Sequence, residues 1–193
     1  MTTYCNTPRF VRFVEDFTKL IKTSNGNEDS ILYSGQSLLK DLITNDDWLH
    51  PNFSQPHPDY YQQYLLHCDP DEHFSVVSFV WGPGQKTPVH DHKVWALIGM
   101  MRGSEKGERF SSPETGRAME LIGTEVLLPG DIDMISKSLG DIHRVSNAFN
   151  DRVSISIHVY GGNIGRITRH IYDVTTGISK NFISGYANQV ATI

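Results

Sequence analysis

His90-Asp91-His92 is the segment of this chain best suited by residue type to bind a metal ion. A neutral imidazole offers a lone pair near neutral pH and is the commonest protein metal ligand. Side chains alternate along a β-strand, so on a strand His90 and His92 would share a face and could converge on one ion. The same spacing also arises by chance on protein surfaces, and the pair alone leaves both readings open. A second alternating set is Ser156, His158 and Tyr160. A hydroxyl, an imidazole and a phenol in one row can orient one another and a bound ligand. Alternation by itself fits a strand with a solvated polar face equally well.

These residues need elements to hold them. Phe10, Val11, Phe13, Val14, Phe17, Leu20 and Ile21 recur at spacings of three and four, the stripe of an amphipathic helix. The polar, glycine-containing stretch 23–27 should end it. A second helix is predicted over residues 34–44, with Leu38, Leu39, Leu42 and Ile43 inward. Asn45 and Asp46 offer a cap for a short helical turn, and the proline-rich stretch 51–58 reads as a loop. Strands are expected at 61–67, 74–81, 94–102, 118–128, 142–148, 153–160 and 166–172, separated by Gly, Pro, Asn and Asp. Many short strands without intervening helices argue for a sandwich or barrel. The expected fold is mainly β in one domain, a helical N-terminal region (1–58) packed on a β-barrel (59–193).

A chain of 193 residues with a formal net charge of -5 carries no basic footprint for nucleic acid. No apolar run approaches membrane-spanning length. The first eight residues lack the apolar core of a signal peptide, so a cytoplasmic location is expected. Two cysteines, Cys5 and Cys68, are expected to be free thiols. Nothing in the sequence fixes an oligomeric state.

The stretch from Gly84 to His92 resembles the first cupin motif, and Gly140-Asp141-Ile142-His143-Arg144-Val145-Ser146-Asn147 resembles the second. Ala96 stands where the first motif ordinarily carries a glutamate ligand, and Ser138 where the second has a proline. The two segments together give a set of three histidines, His90, His92 and His143, without a carboxylate. Three neutral imidazoles leave a divalent metal its full charge and open positions for an anionic ligand such as a thiolate. Spacing does not separate zinc from iron.

From about Tyr60 to Tyr186 the chain resembles the thiol dioxygenases of the cysteine dioxygenase superfamily, especially the bacterial mercaptopropionate-type members. The stretches that carry this run from Phe74 to Gly84, Thr87 to His92 and Ser156 to Gly165. The resemblance implies a jelly-roll-like cupin barrel in which His90, His92 and His143 bind Fe(II). It implies that Ser156, His158 and Tyr160 form a relay beside the metal, and that the substrates are dioxygen and a small thiol carboxylate. Animal-type members carry a cysteine that cross-links to the active-site tyrosine. Here that position is Ala96 or Leu97, so no thioether to Tyr160 is expected, and Cys68 is a poor substitute. Gln63 stands in place of the arginine those members use for the substrate carboxylate. Mercaptopropionate-type members supply the arginine from a later strand, which matches Arg169, with Arg166 as a competitor.

The expected activity is conversion of 3-mercaptopropionate to 3-sulfinopropionate. L-cysteine and mercaptosuccinate are alternative substrates, and a non-catalytic metal-binding cupin is the alternative of another class. His50, His57, His67, His73 and His170 match no motif and are expected in loops, at the surface or behind the ligands. Asp91 is expected to serve turn geometry, and Trp81 and Trp95 to be core or pocket wall.

Overall fold

A computed structural model describes residues 2–189. Two helices, α1 (Pro8–Thr23) and α2 (Glu28–Ile43), precede most of the strands. The strands are β1 (Thr2–Thr3), β2 (Gln62–Cys68), β3 (Ser75–Trp81), β4 (Val89–His90), β5 (Ala96–Arg102) and β6 (Glu105–Phe110). There follow β7 (Leu121–Leu127), β8 (Ile132–Ile135), β9 (His143–Asn147), β10 (Ser154–Tyr160), β11 (Arg169–Tyr172) and β12 (Ser179–Phe182). They form two six-stranded antiparallel sheets, ordered β1-β2-β3-β10-β5-β8 and β12-β11-β4-β9-β6-β7. This is the cupin-type barrel, with the helices covering the outside of the first sheet.

That cover explains why β3 and β10 are buried along their whole length. Val76, Val80, Ile155, Ile157 and Val159 pack outward in one cluster with Phe10, Phe17 and Leu39 of the helices. Val77, Phe79, Trp81 and Tyr160 pack inward with Ile98 and Ile135. Each buried phenyl contributes about 1.5–3 kcal/mol relative to exposure. Gly35 and Gly99 permit the close approach of α2 to β5, since a Cβ on Gly99 would lie 2.9 Å from Ile43 and 3.0 Å from Leu39.

Several boundaries differ from the sequence expectation. α2 starts six residues before 34, because the Asn27 side chain accepts from Ser30 N and caps it, with Glu28 and Asp29 in the first turn. The short helical turn is Pro51–Phe53 rather than a turn capped at 45–46, and the His50 ring accepts from Asn52 N at its start. Thr2–Thr3 adds an edge strand within the region read as helical. Strands β6, β8 and β12 were not expected. In β6, Glu105, Gly107 and Arg109 pair with Asn147, Val145 and His143 and face the barrel interior, so its inner face has no apolar pattern. His67 is buried in β2, bonded to Thr3 Oγ1, and not at a surface. Among the described residues no helix is long and apolar enough to cross a membrane, and Cys5 and Cys68 are both free and buried.

Candidate metal centre

His90 lies on β4, paired with His143 on β9 and with Ile171 on β11. Strand pairing therefore brings two imidazoles from distant segments side by side. His92 does not continue the strand. It sits in the turn after β4, where Lys93 adopts a left-handed conformation at φ 66. That conformation is costly for a residue with a Cβ. It is held by the Asp141 carboxylate, which accepts from His92 N at 2.9 Å, His92 Nδ1 at 2.9 Å and Lys93 N at 3.1 Å. Asp141 thus aims His92 at the other two rings, and His90 Nδ1 is tied to Pro88 O at 3.1 Å.

The ligand-type atoms of His90, His92 and His143 all lie within 4.8 Å of one another, and all three residues are buried. Ring centroids are 4.8–4.9 Å apart. Burial first, and then neighbouring imidazoles, hold His90 and His143 well below the ordinary histidine range. They are neutral, the form that binds metal. With Nδ1 of His90 and His92 engaged, the other ring nitrogen of each is left for an ion. The residues present fit a three-histidine metal site.

Beside it runs the row on β10. Ser156 Oγ meets His158 Nε2 at 2.8 Å, and His158 Nδ1 meets the Tyr160 hydroxyl at 2.8 Å. The row faces inward, opposite to a solvated face. The Tyr160 ring stacks on His92 at 5.7 Å between centroids. Burial lowers His158 and raises Tyr160, so the imidazole stays neutral and the phenol protonated.

The same interior opens on a cavity of about 180 Å³ lined by His90, Arg169, Gln63, Tyr61, Phe79 and Phe182, among others. Arg169 is buried, donates from Nη2 to Ser184 Oγ at 2.7 Å, and lies over the Phe182 ring at 4.5 Å. Its Nε is buried without a partner, and among the described residues no carboxylate forms an ion pair with it. Gln63 Oε1 is likewise buried and unpartnered. Arg166 is 74% exposed and pairs with Glu72 at 3.1 Å, outside the cavity.

Some contributors carry no sequence signal. Asp141 could have been noticed only as the residue two before His143. Asp91, expected to serve the turn, is 3% exposed and accepts from His170 N, Tyr172 OH and Lys93 Nζ, so it pins β11 to the metal turn. His170 is therefore a strand residue behind the ligands. Trp81 is inner wall and Trp95 is buried beneath the helices. Ala96 is buried on β5, and Cys68 stays a free thiol.

Residues 47–173 match the family model described as cysteine dioxygenase type I. The chain belongs to the cysteine dioxygenase type I family. Human cysteine dioxygenase type 1 is 28% identical over 107 residues, covering 54% of this chain and 52% of the relative. The zebrafish (Danio rerio) enzyme is 29% identical over 90 residues, covering 45% and 44%. The chain spans about half the length of these cysteine dioxygenase relatives. Similar solved structures include the Thermus thermophilus protein TT1209 (TM-score 0.46, 16% identity, 57% of this chain and 91% of that one). A Klebsiella pneumoniae protein with a double-stranded β-helix domain has a TM-score of 0.46 at 18% identity, covering 63% and 94%.

Proposed function

We propose that the protein is a non-haem Fe(II) thiol dioxygenase that adds both atoms of dioxygen to the sulfur of a small thiol carboxylate, 3-mercaptopropionate above all. One observation carries this beyond family membership. A buried guanidinium, without a counter-ion among the described residues, lines the same small cavity as His90 of the buried histidine triad. An unpaired buried cation is costly unless an anion joins it. A substrate with a carboxylate at one end and a thiol at the other answers both features.

His90, His92 and His143 would hold the ion. When bound, ferrous iron supplies the redox chemistry that unites thiol sulfur and dioxygen. Arg169 grips the carboxylate with its planar fork, Nη2 already fixed by Ser184 and Nε free. Tyr160 hydrogen-bonds the reacting group, His158 orients the phenol, and Ser156 sets the tautomer of His158. Phe79 and Phe182 keep the cavity dry and restrict the substrate to one pose. The two unpaired thiols suit a reducing cytoplasm.

Substrate choice follows from the lining. Among the described residues no carboxylate lines the cavity, so the ammonium of cysteine finds no ionic partner there beside Arg169. The second carboxylate of mercaptosuccinate finds no second lysine or arginine among the described lining residues. The unpartnered Gln63 Oε1 is the feature that favours L-cysteine, because it can accept from an ammonium. Oxygen uptake and sulfinate formation by iron-loaded protein with the three thiols in parallel test the ranking. We expect kcat/KM to be highest for 3-mercaptopropionate, then cysteine, then mercaptosuccinate. Cysteine in first place would reassign Gln63 as the ammonium acceptor, and no sulfinate from any of them would refute the proposal.

A further inference from the structure

Glu105 lies at the start of β6 and is 1% exposed. Among the described residues neither carboxyl oxygen closes a hydrogen bond. It reaches across the barrel toward Ser156 Oγ and Trp81 Nε1, both near enough to favour its ionised form, and those two atoms are themselves 3.4 Å apart. A fully buried carboxyl thus stands at the far end of the row that finishes at Tyr160. None of the three histidines of the triad is among the groups that act on its carboxyl. The inference rests on the thiol oxidation proposed above.

We infer that Glu105 is a positioning residue, the fourth member of the chain Tyr160–His158–Ser156–Glu105, and that its proton sets which way every hydrogen bond in the chain points. With Glu105 neutral, its O–H donates to Ser156 Oγ, Ser156 donates to His158 Nε2, and His158 Nδ1–H donates to the Tyr160 oxygen. The phenol O–H is then free to donate toward the metal centre, where the Tyr160 ring stacks on His92. With Glu105 ionised, Ser156 donates to the carboxylate and accepts from His158 Nε2–H. The phenol must then donate to His158 Nδ1 and has no proton for the metal centre. The switch releases one proton from Glu105 to solvent and changes the tautomer of His158, whose single ring proton lies on Nδ1 in the first arrangement and on Nε2 in the second.

The surroundings support a proton held near neutral pH. Trp81 faces Glu105 from β3, and Ser156, with His158 and Tyr160 beyond it, from β10. Neutral Asn147 pairs with it from β9, and the Asp133 carboxyl faces it from β8. Arg109 on its own strand is committed to Asp133 and to Glu125 of β7. Among the described residues no cation acts on a Glu105 carboxylate. Burial pushes it up to about 7, with Ser156 and Trp81 opposing. The carboxyl is protonated below that pH and ionised above it, so the arrangement in which Tyr160 donates toward the metal centre is lost as pH rises through neutrality.

The test compares wild type, Glu105→Gln and Glu105→Leu as iron-loaded proteins across neutral pH with 3-mercaptopropionate. Iron content is measured for each, together with infrared difference spectra of the metal-free forms. Wild-type kcat should fall toward alkaline pH while KM changes less. E105Q, which donates at every pH, should keep kcat within about threefold of the acidic wild-type plateau and lose that limb. E105L should lose on the order of tenfold in kcat with iron retained. The spectra should show a protonated-carboxyl band in wild type that is missing from E105Q and bleaches as pH rises. An E105Q profile with the unchanged wild-type limb, or no carboxyl band assignable to Glu105 at acidic pH, overturns the inference. The spectra need no turnover, so wild type inactive on every thiol would break the functional proposal while the Glu105 proton is still read. If E105L does not fold, E105Q and the spectra decide.

Discussion

Two groups of three ligand-type side chains exist in the described residues, and in each the donor atoms lie within 4.8 Å of one another. His90, His92 and His143 come from two strands and a turn inside the barrel. Asp69, Asp71 and His73 come from the single turn between β2 and β3, where Asp71 and His73 are exposed. The difference is in what the atoms are already doing. Asp69 Oδ2 accepts from Asp71 N, His73 N and His73 Nδ1, so the turn is satisfied by itself. The barrel imidazoles are buried, each with capacity left over, which costs stability unless a ligand uses it. Proximity alone does not make a site. Unspent coordination, gathered from distant segments at a burial cost, does.

Substitutions on the two sides should separate them. His92→Ala is expected to reduce bound iron per chain to less than about a tenth of wild type, since two ligands do not close a site. Metal analysis showing near-normal iron would remove His92 from the centre. Arg169→Ala should raise KM for 3-mercaptopropionate by about 10²-fold, the worth of charge-assisted hydrogen bonds, and leave KM for cysteamine, which has no carboxylate, unchanged. Equal effects on both thiols would move carboxylate binding elsewhere. Tyr160→Phe should lower kcat on the order of 10-fold or more with iron retained, and a wild-type kcat would exclude the phenol from the reaction. Asp141→Asn should weaken iron affinity about 10-fold, because His92 loses its orienting acceptor. At the small end, Asp69→Asn should change neither iron content nor kcat and shift stability by about 0.5 kcal/mol. A fall in bound iron there would erase the contrast drawn between the two groups.

The sequence made the triad legible for a partly mistaken reason. Alternation on a strand was the argument for His90 and His92, yet β4 ends at His90 and His92 is brought round by Lys93 and Asp141. Alternation did hold for Ser156, His158 and Tyr160, because β10 is regular and its other face is covered by the helices. Residue pattern alone does not separate Arg169 from Arg166, and the family resemblance favours Arg169; the fold puts Arg169 in the cavity and Arg166 beside Glu72. Glu105 left no trace, because β6 has a polar inner face that hydrophobic periodicity cannot detect. The helices were readable from their apolar stripes, but the start of α2 was not, since it rests on one side-chain cap at Asn27.

The most direct test of thiol oxidation at this site is turnover of 3-mercaptopropionate under isotopically labelled dioxygen, with the product analysed by mass. A dioxygenase at the triad requires both oxygen atoms of each sulfinate to carry the label, one dioxygen consumed per product, and no turnover in His92→Ala. Sulfinate oxygen drawn from water, or disulfide as the product, would contradict it.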